Sequence, residues 1–228
     1  MSMTEPQSIV YNCDCMEYMR TVPDKHFALA IVDPPYGIGA NWRKDPHSKF
    51  YRHHSSYENK DIPSREYFEQ LMRISENQII WGANYYTDYL PARQSWIVWN
   101  KLRDYPTQHH AEGELAWTSF NVLVRIATYM WNGACVCSPR SGIHPHEKPV
   151  DLYAWLLRNY AKPGDNIFDS HLGPGSSRIA AYKLGFDFIG CEIDKGYFEA
   201  QEKRFQEECK DTIIFQNGKS VTQLSIEI

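Results

Sequence analysis

No apolar run in this 228-residue chain approaches the ~18 residues needed to cross a bilayer. Met1 to Tyr11 has neither the basic start nor the apolar core of a secretory signal. A membrane partner and export are therefore not expected, and a cytoplasmic protein is. Cysteine is scarce: Cys13, Cys15, Cys135, Cys137, Cys191 and Cys209 are too few for a disulfide scaffold at this length. Their two Cys-x-Cys pairs are spaced more tightly than the two to four intervening residues usual for structural zinc. His109-His110 has no Cys or carboxylate at ligand spacing on a recognisable element, so no metal is expected. An excess of positive charge is missing too. The formal net charge of -4 argues against general coating of nucleic acid, so any such contact must be local.

What the chain does contain is a strand-helix alternation. Ser8 to Tyr11 opens it, followed by a helix around Met16 to Thr21 and then Ala28-Leu29-Ala30-Ile31-Val32, an unbroken apolar run of the buried-strand type. Residues 37 to 63 are polar and aperiodic and are expected to form a long surface loop. A helix over about Ser64 to Ser75 follows, with Tyr67, Phe68, Leu71 and Met72 on one face. Strands are expected at Gln78–Trp81, Trp96–Trp99 and Leu115–Trp117. From Pro149 the pattern reads helix Val150–Tyr160, strand Asn166–Phe168, helix Ser176–Leu184, strand Phe188–Gly190 and helix Lys195–Cys209, with Thr212–Phe215 as a last strand. Such alternation predicts parallel β-α-β units in one doubly wound α/β domain spanning 1–228, with a catalytic half over about 1–143 and a second half over about 144–228.

Two turns carry chemistry. After Asp169 comes Ser170-His171-Leu172-Gly173-Pro174-Gly175-Ser176-Ser177, leading straight into a helix. Glycines there let the backbone approach a ligand, and helix-start amides can meet an anionic group. Glu192, about twenty residues beyond Gly173, ends the next strand and is placed to hold ribose hydroxyls. A dinucleotide fingerprint would end in Gly or Ala where Arg178 stands, so a mononucleotide-like cofactor fits better. The second turn is Asp33-Pro34-Pro35-Tyr36, at the end of the buried strand where ligands meet an open α/β sheet. Consecutive prolines fix the backbone and remove two amide donors, which leaves the Pro34 carbonyl as an acceptor beside the Asp33 carboxylate. That pair suits an amino group, and Tyr36 offers a flat face for stacking.

With these residues in view, the chain resembles the amino-group DNA methyltransferases, whose catalytic motif is Asp/Asn/Ser-Pro-Pro-Tyr. Asn12-Cys13-Asp14-Cys15 and the strand into Asp33-Pro34-Pro35-Tyr36 are similar to the family's opening segment. His144-Pro145-His146-Glu147-Lys148-Pro149 matches its His-Pro-x-x-Lys-Pro segment, Phe168 to Ser177 its cofactor loop, and Gly190-Cys191-Glu192-Ile193-Asp194 its Gly-x-Glu-x-Asp segment. Catalytic motif first and cofactor loop last is the β-class order, similar to small phage or mobile-element adenine methylases. The loop departs from the pattern at Ser170, His171 and Pro174.

The resemblance implies a Rossmann-like fold with a mostly parallel seven-stranded sheet and S-adenosylmethionine as cofactor. It implies methyl transfer to the exocyclic amino group of a flipped DNA base, adenine N6 foremost. Asp33, Pro34, Pro35 and Tyr36 are the catalytic residues so implied. Those for the cofactor are Asp14, Cys15, Asp33, His144, Lys148 and Pro149 on one side, with Asp169, His171, Gly173, Gly175, Ser176, Ser177, Glu192 and Asp194 on the other. Cytosine N4, RNA or a protein amide remain alternative targets, and an idle DNA- or cofactor-binding module is the non-enzyme alternative. Cytosine C5 chemistry is excluded on this pattern, because its thiolate follows a proline and no cysteine here does.

Residues 41 to 60 interleave Arg43, Lys44, Lys49 and Arg52 with aromatic residues, a local basic stretch suited to DNA phosphates. No stretch is long enough for a separate recognition domain. A short or relaxed target sequence is therefore expected, or specificity shared with a second subunit in a homodimer.

Overall fold

In a computed structural model the structure describes residues 5–38, 61–101, 111–132, 135–136, 141–144, 146–210, 212–214 and 220–222. Its centre is an eight-stranded sheet in the order β1-β10-β9-β2-β3-β5-β4-β6. The strands are β1 (Ser8–Tyr11), β2 (Phe27–Val32), β3 (Ser75–Trp81), β4 (Trp96–Asn100), β5 (Gly113–Thr118), β6 (Arg125–Thr128), β9 (Asn166–Asp169) and β10 (Asp187–Cys191). Every neighbouring pair is parallel except those of β5, which runs against both β3 and β4.

Seven of the eight expected strands lie in this sheet, which has eight strands where seven were expected. The eighth, β6, has a mostly exposed pattern that gives no periodic signal. The expected last strand, β11 (Thr212–Ile214), stays out of the sheet and pairs with β12 (Ser220–Thr222), while β7 (Trp131–Asn132) pairs with β8 (Cys135–Val136).

The helices are α1 (Cys15–Thr21), α2 (Arg65–Ile74), α3 (Val150–Tyr160), α4 (Ser176–Lys183) and α5 (Lys195–Cys209). Asp14 caps α1 by accepting the Met16 amide, and Asp194 caps α5 by accepting that of Tyr197, each satisfying a helix-start donor. Along α2 the buried face is Tyr67, Phe68, Leu71 and Ile74, and the helix passes into β3 with no intervening residue. The apolar run of β2 is buried because the strand lies between β9 and β3 with a core cluster on each face of the sheet. Trp81, Trp99, Trp117 and Trp131 fill that core, and Trp96 packs half-buried against it.

Topology decides what meets at the ligand edge. Asp33 follows β2 and Asp169 ends β9, so both stand at the carboxyl ends of parallel strands. Because β5 runs the other way, its first residues, Gly113 and Glu114, reach that same edge.

Candidate active site

The Pro34-Pro35 pair ends β2 because neither residue has an amide to extend the ladder, and the chain turns there with Asp33 half-buried. Both Asp33 oxygens are occupied. Oδ1 accepts the Tyr36 hydroxyl at 2.6 Å, and Oδ2 accepts the Lys148 ammonium at 2.5 Å. The Lys148 Nζ also stands 3.1 Å from Glu114 Oε2 and donates to the Tyr36 oxygen at 3.1 Å. Lys101 forms a further close ion pair with Glu114. Two carboxylates and two ammoniums therefore share one secluded cluster with balanced charge. Burial alone would raise the Glu114 carboxyl, but the Lys148 and Lys101 charges outweigh it and hold the group down at about 2. Burial likewise works against the charged Lys148, yet Asp33 and Glu114 together keep its pKa above the ordinary value. Burial and the Asp33 charge push the Tyr36 phenol well up, so it is a neutral donor.

Tyr36 is a less open platform than its sequence position implies. Its ring stacks on Tyr85 at 5.3 Å and 19° and lies against Gly82, where an added Cβ would come within 2.1 Å of the ring. Tyr85, 43 % exposed, is the outer ring of that stack. The Pro34 carbonyl is also less available than expected, because the Tyr86 hydroxyl sits 2.9 Å from it and 2.6 Å from the Pro35 carbonyl. A carbonyl has two lone pairs, so Pro34 keeps capacity for one more donor.

Beside this cluster lies a pocket whose wall includes Asp14, Cys15, Asp33, His144 and Lys148 from one part of the chain. His171, Gly173, Ser176 and Glu192 come from the other. Glu192 is pinned from behind: Oε2 accepts the Gly173 amide and Oε1 the Asp194 amide, both at 2.8 Å. Burial raises its pKa, and these amides lower it only in part. Glycine is required at 173 and 175, where φ is 52° and 79°.

Several expected cofactor residues do not line this pocket. Asp169 is buried, accepting the His171 amide at 3.0 Å and the Ser177 hydroxyl at 2.5 Å, so both Asp169 and Ser177 brace the loop from within. Burial pushes the Asp169 carboxyl up to about 7 despite those two donors. Gly175 and Asp194 serve as helix caps, and Pro149 precedes α3. Ser170 and His171 form a chain with Tyr67: the Tyr67 and Ser170 hydroxyls are 2.7 Å apart, and Ser170 Oγ is 2.8 Å from His171 Nδ1. Burial holds the imidazole down at about 4, hence neutral. The Pro174 carbonyl accepts Arg204 at 2.9 Å, and Arg204 also meets the buried Glu147 at 3.2 Å. That ion pair ties the cofactor loop to the segment carrying Lys148.

The DNA methylase family model N6_N4_Mtase matches residues 94–203. Over that stretch the chain is similar to this amino-methyltransferase family. It is 23 % identical over 267 residues to the type II methyltransferase M.HinfI of Haemophilus influenzae, covering 94 % of this chain and 71 % of that protein. Its fold is similar to that of M1.HpyAVI in complex with SAM, with a TM-score of 0.57, 19 % identity, and coverage of 86 % of this chain and 98 % of that one. It is equally similar to the PvuII DNA methyltransferase, a cytosine-N4-specific enzyme, at a TM-score of 0.57 and 13 % identity over 96 % of this chain and 98 % of that one.

The methyl donor of this family is S-adenosylmethionine. The pocket suits it on two counts. Each Glu192 oxygen keeps a lone pair for a ribose hydroxyl after taking its backbone amide. With Asp33 balanced by Lys148, Asp14 and Glu192 leave the wall acidic, which favours a cationic donor. The geometry also exposes what motif reading left out. Glu114, Lys101, Tyr67, Tyr85 and Arg204 all stand in or behind the site and belong to none of the quoted motifs. Arg43, Lys44, Lys49 and Arg52 lie outside the described residues, as do Pro145 and His109-His110. Among the described residues, no helix is long and apolar enough to cross a membrane.

Proposed function

We propose that this DNA amino-methyltransferase acts on adenine N6, with Asp33 and the Pro34 carbonyl receiving the amino hydrogens. The carrying observation is an ionisable Asp33 at the head of the Pro-Pro-Tyr turn, held at one edge of the acidic pocket by Lys148 and Tyr36. Family members that methylate cytosine N4 more often have Ser at that place.

S-adenosylmethionine supplies an electrophilic methyl on a sulfonium. Asp33 and the Pro34 carbonyl would orient the amino nitrogen of a flipped base toward that methyl, and the proton the nitrogen loses would pass to Asp33 and on to solvent. Drawing the amino hydrogens toward two acceptors raises electron density on nitrogen and stabilises the positive charge developing there. Asp33 need not be a strong base for this. Glu192 would hold the ribose, the Gly173–Ser176 turn the donor's amino-acid end, and the Tyr36–Tyr85 stack would flank the base.

We read residues 1–228 as one domain acting in the cytoplasm, alone or as a homodimer. Arg43, Lys44, Lys49 and Arg52 take the phosphate role, with a short or relaxed recognition sequence. Neutralising those four should weaken binding to all DNA sequences about equally and flatten its salt dependence. Loss of one long recognition sequence with non-specific affinity intact would overturn that role.

Incubation of DNA with the protein and S-adenosylmethionine, followed by nucleoside mass spectrometry, tests the target. N6-methyladenine is the expected product. N4-methylcytosine alone would refute the adenine assignment.

A further inference from the structure

Asp33 meets its substrate already engaged. A carboxylate with an ammonium at 2.5 Å and a phenol at 2.6 Å is a poor partner for positive charge developing on a base nitrogen, because the ammonium opposes that charge. Relief is built into the same cluster. The Lys148 ammonium lies 3.1 Å from Glu114, and the Tyr36 oxygen lies 3.4 Å from the same Glu114 oxygen. Both donors that occupy Asp33 thus already face a second carboxylate. Full transfer of the ammonium needs a contraction of only a few tenths of an ångström to reach the ~2.8 Å of a charge-assisted bond.

We propose that Glu114 is a positioning residue that takes over Lys148 and the Tyr36 hydroxyl as the target amino group docks, leaving Asp33 to receive the amino hydrogens. The inference rests on the reading of Asp33 as the amino acceptor.

Three features make Glu114 suited to this. It stays ionised, because Lys101 and Lys148 both face it. Its backbone is fixed in β5 opposite Trp99, so the oxygen does not wander. The exchange also conserves charge: Lys148 keeps a carboxylate partner throughout, which avoids the cost of an unpaired buried ammonium. No covalent bond is made or broken, since Lys148 keeps all three protons and Tyr36 its one.

A double-mutant cycle read by single-turnover methyl transfer, with calorimetric binding of S-adenosylmethionine in parallel, tests the proposal. Glu114→Gln should slow transfer about 10- to 100-fold, with donor affinity within about twofold of the original. In a Lys148→Met background the same change should cost less than about threefold, since no ammonium is left to draw away. Glu114→Asp should recover part of the rate, and it stands in for Glu114→Gln if that variant does not fold. An equal rate loss in both backgrounds, a donor-affinity loss matching the rate loss, or an unchanged rate would each overturn the role of Glu114. Asp33→Ala is the control. Transfer that survived it would remove the underlying reading of Asp33, whereas an Asp33-dependent reaction indifferent to Glu114 would remove only the present proposal.

Discussion

Two pairs of secluded carboxylates lie close together at the ligand edge of this sheet, and they are held by opposite means. Asp33 and Glu114 are held by ammoniums, and Glu114 is driven down to about 2. Asp169 and Glu192 are held by backbone amides and a serine hydroxyl, and both carboxyls are pushed up by burial, Asp169 to about 7. The first pair is charge-balanced before any ligand arrives. The second pair has only dipoles for company, so a cationic ligand entering nearby is drawn by charge that the protein leaves unanswered. One edge of one sheet thus offers a neutral cluster for an uncharged amino group and an acidic pocket for a cation.

The largest expected effect comes from breaking the balance on the first side. Lys148→Met leaves Asp33 facing Glu114 without the ammonium between them, and should cost about 3 to 5 kcal/mol of stability at pH 8. Denaturant unfolding would register it, and the loss should shrink toward pH 4 as carboxylates take up protons. An unchanged midpoint at pH 8 would show that the cluster is not charge-coupled.

A smaller effect is expected on the second side. Glu192→Gln keeps the shape but turns an amide toward an amide, and should weaken S-adenosylmethionine binding about 10- to 100-fold by calorimetry. Unaltered affinity would remove Glu192 from the cofactor site.

The smallest effect is in pH dependence, where the two sides should have slopes of opposite sign. Glu114, depressed from 4.5 to about 2, contributes stability present above about pH 4.5 and lost as pH falls toward 2. Asp169, raised from 3.8 to about 7, does the reverse: the folded state binds the extra proton, so stability declines as pH rises from about 4 to 7. Asp169→Asn can still accept from the His171 amide and can donate to the Ser177 oxygen. It should gain stability at pH 8 relative to the parent and nothing at pH 4, measured by thermal melts across that range. A gain independent of pH would point to packing instead of titration.

Helices α3 and α5 were legible to the residue, because their apolar spacing and the adjacent Pro149 and Asp194 are local signals. The two chemical turns were legible for the same reason. Glu114 was not: nothing near it in the sequence says that β5 runs antiparallel, and only that direction carries its carboxylate to Asp33. Lys148 was noticed as a cofactor-site residue and does line the pocket, but its pairing with Asp33 was not legible, since a motif gives the residue and not the direction of its side chain. Asp169 and Ser177 belong to a loop whose sequence marks ligand approach, yet in the fold they face each other behind it. β6 gave no signal because an edge strand with one buried residue in four has little periodicity to show.

The pairing of β1 with β10 has a consequence for how the chain acquires this shape. Ser8 to Tyr11 align with Phe188 to Cys191, so β1 has no neighbour in the sheet until the chain has reached β10. β9 then has to enter between β10 and β2 to join the two ends. On the ribosome, the segment from β1 to β6 emerges with one edge of β2 uncovered and β1 without a seat. Contacts this distant in sequence delay completion of the sheet until β10 is made, and until then an open strand edge is the surface most exposed to a neighbouring nascent chain.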